Sequence, residues 1–211
     1  MVTVKEILET MDYGPGAETP AEVRAWLAAH GRFGPFIAGA LTAPGVTRAV
    51  QNPATGAVLA EVAQGSADDI AAALAAARAA QPGWAALPDQ ARAEALHALA
   101  RQLQKRASFL AGLATLDTGT PIRESRDPDL AQAVRAFHHA AGRAALRDMD
   151  HPGRAPHAVT GVVLAPALPL MGFATAIAPV LAAGGTVVVV PAPEAPLTAL
   201  ALAEICAEAG L

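Results

Sequence analysis

The chain has one cysteine, Cys206, among its 211 residues. No disulfide within the chain is available, so the fold has to rest on packing, and this cysteine usage fits a reducing compartment such as the cytoplasm. Aromatic residues make up only 4%. Rings therefore cannot fill the interior, and Ala, Leu and Val must. Charged residues reach 16%, below the roughly 25% of an average globular chain. Positive charge is in deficit: 15 Lys and Arg against 19 Asp and Glu leave a net charge of −4. That removes the basic footprint expected of a nucleic-acid-binding protein. Long unbroken apolar runs are missing too. Residues 158–192 are apolar, but Pro166, Pro169, Pro179 and the Gly184-Gly185 pair interrupt them. Short buried strands around a helix account for this better than a membrane span does. The opening "MVTVKEILETMDYG" carries acidic residues and no long apolar run, unlike a secretory signal.

Side chains able to bind metal are equally sparse. Of six His, only His138 and His139 are neighbours, and adjacent residues on a helix diverge, so this pair is a poor metal clip. A partly exposed helix face is expected there. His30 and His97 fall in helical stretches without acidic or Cys partners nearby in sequence, and are read as structural. Cys206, in "LAEICAEAG", falls on the apolar side of a helix and is expected to be a small buried thiol rather than a nucleophile.

What is present is a clear order of elements. "VKEILETM" and "TPAEVRAWLAAH" read as short helices, the second with Thr19 as N-cap, Pro20 at the first helical position and Glu22 completing a capping box. "FGPFIAG" and "RAVQNPATGAVLAEVAQG" read as short strands, turned at Asn52-Pro53 and Thr55-Gly56. Ser66 and Asp69 form a capping box for a helix that Pro82-Gly83 should end. Pro88 and Asp89 open a longer helix. Leu96, Leu99, Leu103, Leu110 and Leu113 make one apolar stripe along it, with Arg92, Arg101, Lys105 and Arg106 mostly on solvated faces. Asp127-Pro128 caps a helix running to about Leu146. The "RESRDPD" cluster at 123–129 reads as capping and surface pairs, and "DMDHPGRAPH" at 148–157 as a linker.

The last stretch carries most of the functional information. "VTGVVLAP" and "TVVVVP" are continuous apolar runs of strand length, expected in the middle of a parallel sheet with helices on both faces. Pro169 suits the start of the connecting helix, and Gly184 its left-handed C-cap. This strand–helix–strand–helix order is that of a nucleotide-binding unit with right-handed crossovers. Yet between residues 161 and 205 only Glu194 is charged before the final helix, and there is no Lys, Arg, Asn or Asp.

The words "NPATGAVLAEV" (52–62), "DDIAAALAAARAAQPGW" (68–84), "RAEALHALARQLQKRASFLAGLATLDTGTPIRES" (92–125) and "IAPVLAAGGTVVVVPAPEAPLTALALAEICAEAGL" (177–211), in this order, resemble the N-terminal part of an aldehyde dehydrogenase. "ILETMDYGPGAE" and "GRFGPFIAG" are similar to the family-16 branch, whose members can carry a second, degenerate dehydrogenase unit. The resemblance implies an α/β fold: an N-terminal helical arm plus the first part of a parallel Rossmann-like cofactor sheet, truncated. Three regions follow: an extension at 1–45, the helical part of the cofactor domain with short strands at 46–150, and the start of the NAD(P)-binding unit at 151–211.

The family's activity, as the resemblance implies it, is NAD(P)-linked oxidation of an aldehyde to an acid. A Cys thiolate attacks the carbonyl, hydride passes to the nicotinamide, and water activated by a Glu releases the acid. The nucleophile Cys, the Glu and a glycine-rich stretch come later in the family's order than the words matched here. Cys206, in its helical context, does not replace the nucleophile. The cofactor cleft would be lined by Leu164, Ala165, Pro166, Val190, Pro191 and Ala192. Within it, the family's oxyanion-holding Asn falls at Ala167, in "APALP". Its ribose-holding Lys falls at Val190, and the acidic partner at Pro193. "LDTGTP" has Thr120 where a Lys is common. The scaffold is kept while its polar grips become apolar, so the expectation is a protein of this family without catalysis. The alternative is a non-catalytic module that docks on itself or on a full-length dehydrogenase. Neither nucleic acid nor membrane is an expected partner.

Overall fold

The computed structural model describes residues 20–211. The helix expected over "VKEILETM", the Thr19 cap and the words "ILETMDYGPGAE" lie outside the described residues. The first described helix, α1 (Ala21–His30), buries Val23 and Leu27. Short strands follow: β1 (Arg32–Phe33), β2 (Phe36–Ile37) and β3 (Ala40–Leu41), then β4 (Thr47–Gln51) and β5 (Val58–Ala63). β4 and β5 form an antiparallel hairpin, with β1 added in parallel on the other side of β5. The expected turn is there. Asn52 Oδ1 accepts the Ala54 N–H at 2.9 Å, and Gly56 takes a positive φ of 72° to close it, a conformation cheap only for glycine.

Helix α2 (Ala67–Ala85) opens with the reciprocal Ser66–Asp69 capping box. It does not stop at Pro82-Gly83. The helix runs three residues past Pro82, because its end is held from outside. Trp84 Nε1 donates to the Leu181 carbonyl at 2.9 Å, and Arg92 donates to the Ala85 and Leu87 carbonyls. Arg92 is therefore not on a solvated face. It is 1% exposed and pairs with Asp89, capping the orphan carbonyls of one helix from the first turn of the next.

The long leucine-striped helix is two helices, α3 (Asp89–Lys105) and α4 (Ala107–Thr118). Arg106 leaves helical geometry at φ −105°, ψ 24°. The step of seven from Leu103 to Leu110 hides the break, since it keeps both on the same side. All five leucines are at most 1% exposed, each contributing roughly 1.5–3 kcal/mol of burial. A wide helical turn over Ser125–Leu130, with Asp127 extended inside it, leads into α5 (Ala131–Ala145). "RESRDPD" is only partly surface, for Ser125 and Asp129 are each 1% exposed.

The closing unit is β6 (Val159–Val163), α6 (Pro169–Ala183), β7 (Thr186–Val190) and α7 (Leu197–Glu208). β6 and β7 pair in parallel from Val159↔Thr186 to Val163↔Val190. Pro169 occupies the first turn of α6, and Gly184 closes it at φ 93°. Gly185 has no room for a side chain: a Cβ there would lie 2.7 Å from the His157 carbonyl oxygen. The strands are less enclosed than their apolar sequences predict. Val163 is 83% exposed and Val190 39%, because the two strands pair only with each other among the described residues. The core instead lies among the helices, where α3, α5 and α6 pack in series and α4 and α7 close the far side.

Candidate functional site

In parallel α/β sheets, ligands bind beyond the carboxyl ends of the strands. Here that position holds a cleft of about 470 Å³. Pro166 and Ala167 reach it from the end of β6, and Pro193 and Glu194 from the end of β7. Asp117 and Thr120 come from the end of α4, with Arg48 and Gln51 of β4 opposite. Of the six residues expected to line a cofactor cleft, only Pro166 does so. Leu164 is half-buried and donates its backbone N–H to the Val190 carbonyl at 3.0 Å. Ala165 and Val190 are exposed, Pro191 is half-buried and Ala192 is buried, and none of the four lines this cleft. Ala167, Pro193 and Thr120, the positions where the family resemblance placed changed polar groups, do line it. The hydroxyls of Thr118 and Thr120 lie 2.9 Å apart and bond each other.

Helix N-termini beside such clefts are ready anion sites, because their first N–H groups lack intrahelical partners. Both N-termini here are already filled by carboxylates from distant helical segments. Asp129 accepts the N–H groups of Leu170 at 3.3 Å and Met171 at 2.7 Å, at the start of α6. Asp117 Oδ2 accepts the Thr198 N–H at 2.8 Å and the Thr198 hydroxyl at 2.9 Å, at the start of α7. Asp117 is 2% exposed, and its other oxygen, Oδ1, is buried without a partner. Burial raises the Asp117 carboxyl to about 6 in spite of these hydrogen bonds, and it raises Asp129 in the same direction. Sequence reading missed both. The signal was an absence: "ALPLMG" and "EAPLTA" offer Leu168 and Pro196 at the N-cap positions, with no side-chain cap of their own. Buried orphan donors must be satisfied somewhere.

A dinucleotide is poorly matched by these residues. Ribose hydroxyls would find no side-chain hydrogen bond at Val190 or Pro193, and a phosphate would meet Asp129 or Asp117 where free N–H groups are needed. Cys206 is half-buried on α7, and burial pushes its thiol up to about 12, far from the thiolate that nucleophilic catalysis requires. Among the described residues, no three His, Cys, Asp or Glu side chains cluster as a metal site, and no helix is long and apolar enough to cross a membrane.

Comparison with known proteins agrees with this architecture. A family model described as the aldehyde dehydrogenase family matches residues 42–211, and the chain belongs to that family. It is 40% identical over 179 residues to an aminoacetaldehyde dehydrogenase from Pseudomonas aeruginosa, covering 79% of this chain and 36% of that one. Among solved structures it is similar to a mutant of aldehyde dehydrogenase C from Pseudomonas syringae complexed with NAD+ and octanal. There the TM-score is 0.77 and the identity 33%, with coverage of 83% and 38% of the two chains. An NAD+ complex of an aldehyde dehydrogenase from Bacillus cereus matches with a TM-score of 0.84 at 30% identity, over 92% of this chain and 42% of that one. The chain thus spans well under half the length of these relatives.

Proposed function

We propose that this 211-residue chain keeps the aldehyde dehydrogenase scaffold but does not oxidise aldehydes, and that it binds NAD(P) weakly or not at all. The observation that carries this reading is Ala167 in the cleft wall. The family resemblance puts there the Asn that holds the developing oxyanion. A methyl group donates no hydrogen bond, and removing one such donor costs about 3 kcal/mol of transition-state stabilisation. Val190 and Pro193 supply no replacement for the ribose contacts, and both flanking helix N-termini are closed by carboxylates. The regions 1–45, 46–150 and 151–211 serve in this reading as extension, helical support and residual cofactor unit. The words "ILETMDYGPGAE" and "GRFGPFIAG" favour the family-16 branch, and the cysteine usage favours the cytoplasm. The test is steady-state turnover of an aldehyde panel with NAD and with NADP. No reduced cofactor above the uncatalysed rate is the expected result; turnover that scales with protein concentration would overturn the reading.

A second reading has its own observation. The β6–β7 pair has open edges among the described residues, and Val163 is 83% exposed. An apolar strand edge of this kind is a template for strand addition. The chain would then be an interaction module that adds its strands to a second copy or to a full-length dehydrogenase. Light scattering coupled to size exclusion separates the two: a monomer at every concentration removes self-association.

A further inference from the structure

The sequence offers His30 no acidic partner nearby, and the fold brings one from 174 residues further along the chain. His30 ends α1, and Glu204 stands on α7. The His30 Nε2 atom lies 2.9 Å from Glu204 Oε1, and its Nδ1 atom lies 2.9 Å from the carbonyl oxygen of Trp26, one turn back on α1. The second oxygen of Glu204, Oε2, accepts the Trp26 indole N–H at 2.9 Å. All three side chains are half-buried.

A carbonyl oxygen has no proton to give, and neither does an ionised carboxylate. Both ring nitrogens of His30 therefore face acceptors, and only the imidazolium carries an N–H on each. A neutral ring serves one acceptor and turns a lone pair on the other. Three further features suit the cation. The ring stacks on Phe33 with 4.9 Å between centroids and 16° between planes, and lies 5.0 Å from the Trp26 ring. Both are inside the range, about 6 Å, over which an aromatic face attracts a cation. The residue sits in the last turn of α1, where the helix dipole favours positive charge. The basic groups on neighbouring elements are engaged with other acids, Arg32 of β1 with Glu61 and Arg106 at the start of α4 with Glu208, so neither neutralises Glu204. On α1 itself Glu22 and Arg24 are exposed, and Glu22 shares a small groove of about 180 Å³ with Trp26, Glu204 and Glu208.

We propose that His30 is held as the imidazolium and acts as a proton-dependent latch fastening α1 to α7. With both protons the ring closes both ties, and on losing one it releases either Glu204 or the Trp26 carbonyl. Released from Glu204, α1 is held by its apolar face, Val23 and Leu27, and by the Trp26 indole alone. The latch is independent of the dinucleotide question, since none of these residues lines the cleft at the strand ends. The test uses the full chain labelled with nitrogen-15, in which long-range proton–nitrogen correlation spectra report the protonation of each imidazole nitrogen. At pH 7 His30 should show two protonated ring nitrogens. His138 is the reference in the same spectrum and should be neutral there, for it meets His97 at 2.9 Å and is held below the ordinary histidine range by burial and then by the charges of His97 and Arg101. As pH is raised until His30 turns neutral, amide exchange in the last turn of α1, corrected for its intrinsic rise with pH, should speed up about tenfold, the size of one lost hydrogen bond. Glu204→Gln offers the ring an amide N–H in place of a carboxylate oxygen, so His30 should then be neutral at pH 7 and the exchange step should vanish. His30→Gln should remove the step as well. Should either variant fail to fold, the spectrum of the unaltered chain still decides. A neutral His30 at pH 7, or an exchange step that survives either change, overturns the latch.

Discussion

The N-terminus of α2 and the N-termini of α6 and α7 solve one problem in two ways. At α2, Ser66 and Asp69 exchange hydrogen bonds within four residues at an exposed helix start. At α6 and α7 the partners are Asp129 and Asp117, 41 residues before Leu170 and 81 before Thr198 in sequence and almost fully buried. A local cap stabilises its own helix and little else. An imported cap in a dry site ties a helical segment to the sheet unit, and its loss leaves buried N–H groups unsatisfied. The helical half and the closing unit are thereby fused by two carboxylates, at the two positions where a nucleotide-binding unit would otherwise offer anion sites.

The contrast can be broken by mutation. The largest effect is expected at Arg92, which joins α2 to α3 as the aspartates join helix to sheet. Arg92→Ala should cost about 3–5 kcal/mol in urea unfolding, because Asp89 and two carbonyls lose a fully buried partner. Asp129→Ala should follow at about 2–3 kcal/mol, for it leaves the Leu170 and Met171 N–H groups bare. Ser66→Ala should cost only about 1 kcal/mol, the ordinary value of an exposed cap. If Asp129→Ala proves no worse than Ser66→Ala, the distinction between imported and local caps fails.

Asp117 sharpens the comparison through pH. Its carboxyl is raised from 3.8 to about 6 in the folded chain, so the folded state holds the proton more tightly than the unfolded state. The stability this contributes is fully present below pH 3.8 and is lost as pH rises through about 6. Asp129 shifts in the same direction. Asp117→Asn keeps an acceptor for Thr198 and places no charge on the unpartnered Oδ1 position. Urea midpoints measured between pH 4 and 7 should therefore fall less steeply for Asp117→Asn than for the unaltered chain, with the variant the more stable near neutrality, by on the order of 2 kcal/mol. An unchanged slope would show that folding does not shift the Asp117 carboxyl.

The same contrast explains how much could be read from sequence. The Asn52–Gly56 turn, the Ser66 box, the first turn of α6 at Pro169 and the Gly184 cap are local patterns, and each appears where its residues stand. The parallel β6–β7 pair was legible from two apolar runs, and the family from the order of its words. What was illegible depended on partners far along the chain. Pro82 does not end α2, because Trp84 in its last turn is anchored to the Leu181 carbonyl and Arg92 of the next helix caps its end. Arg106 breaks the leucine stripe at a seven-residue step that periodicity cannot detect. Asp129 read as a capping or surface residue and Asp117 drew no reading at all, since nothing near them in sequence announces burial. The cleft was legible in part: Ala167, Pro193 and Thr120 line it, whereas Val190 is not among its lining residues.

The central claim is that this scaffold no longer grips a dinucleotide, and titration calorimetry of the purified 211-residue chain with NAD up to millimolar concentration tests it most directly. The account predicts no heat beyond dilution. A saturable isotherm in the micromolar range, abolished when a Lys is introduced at the Ala167 wall of the cleft, would contradict it.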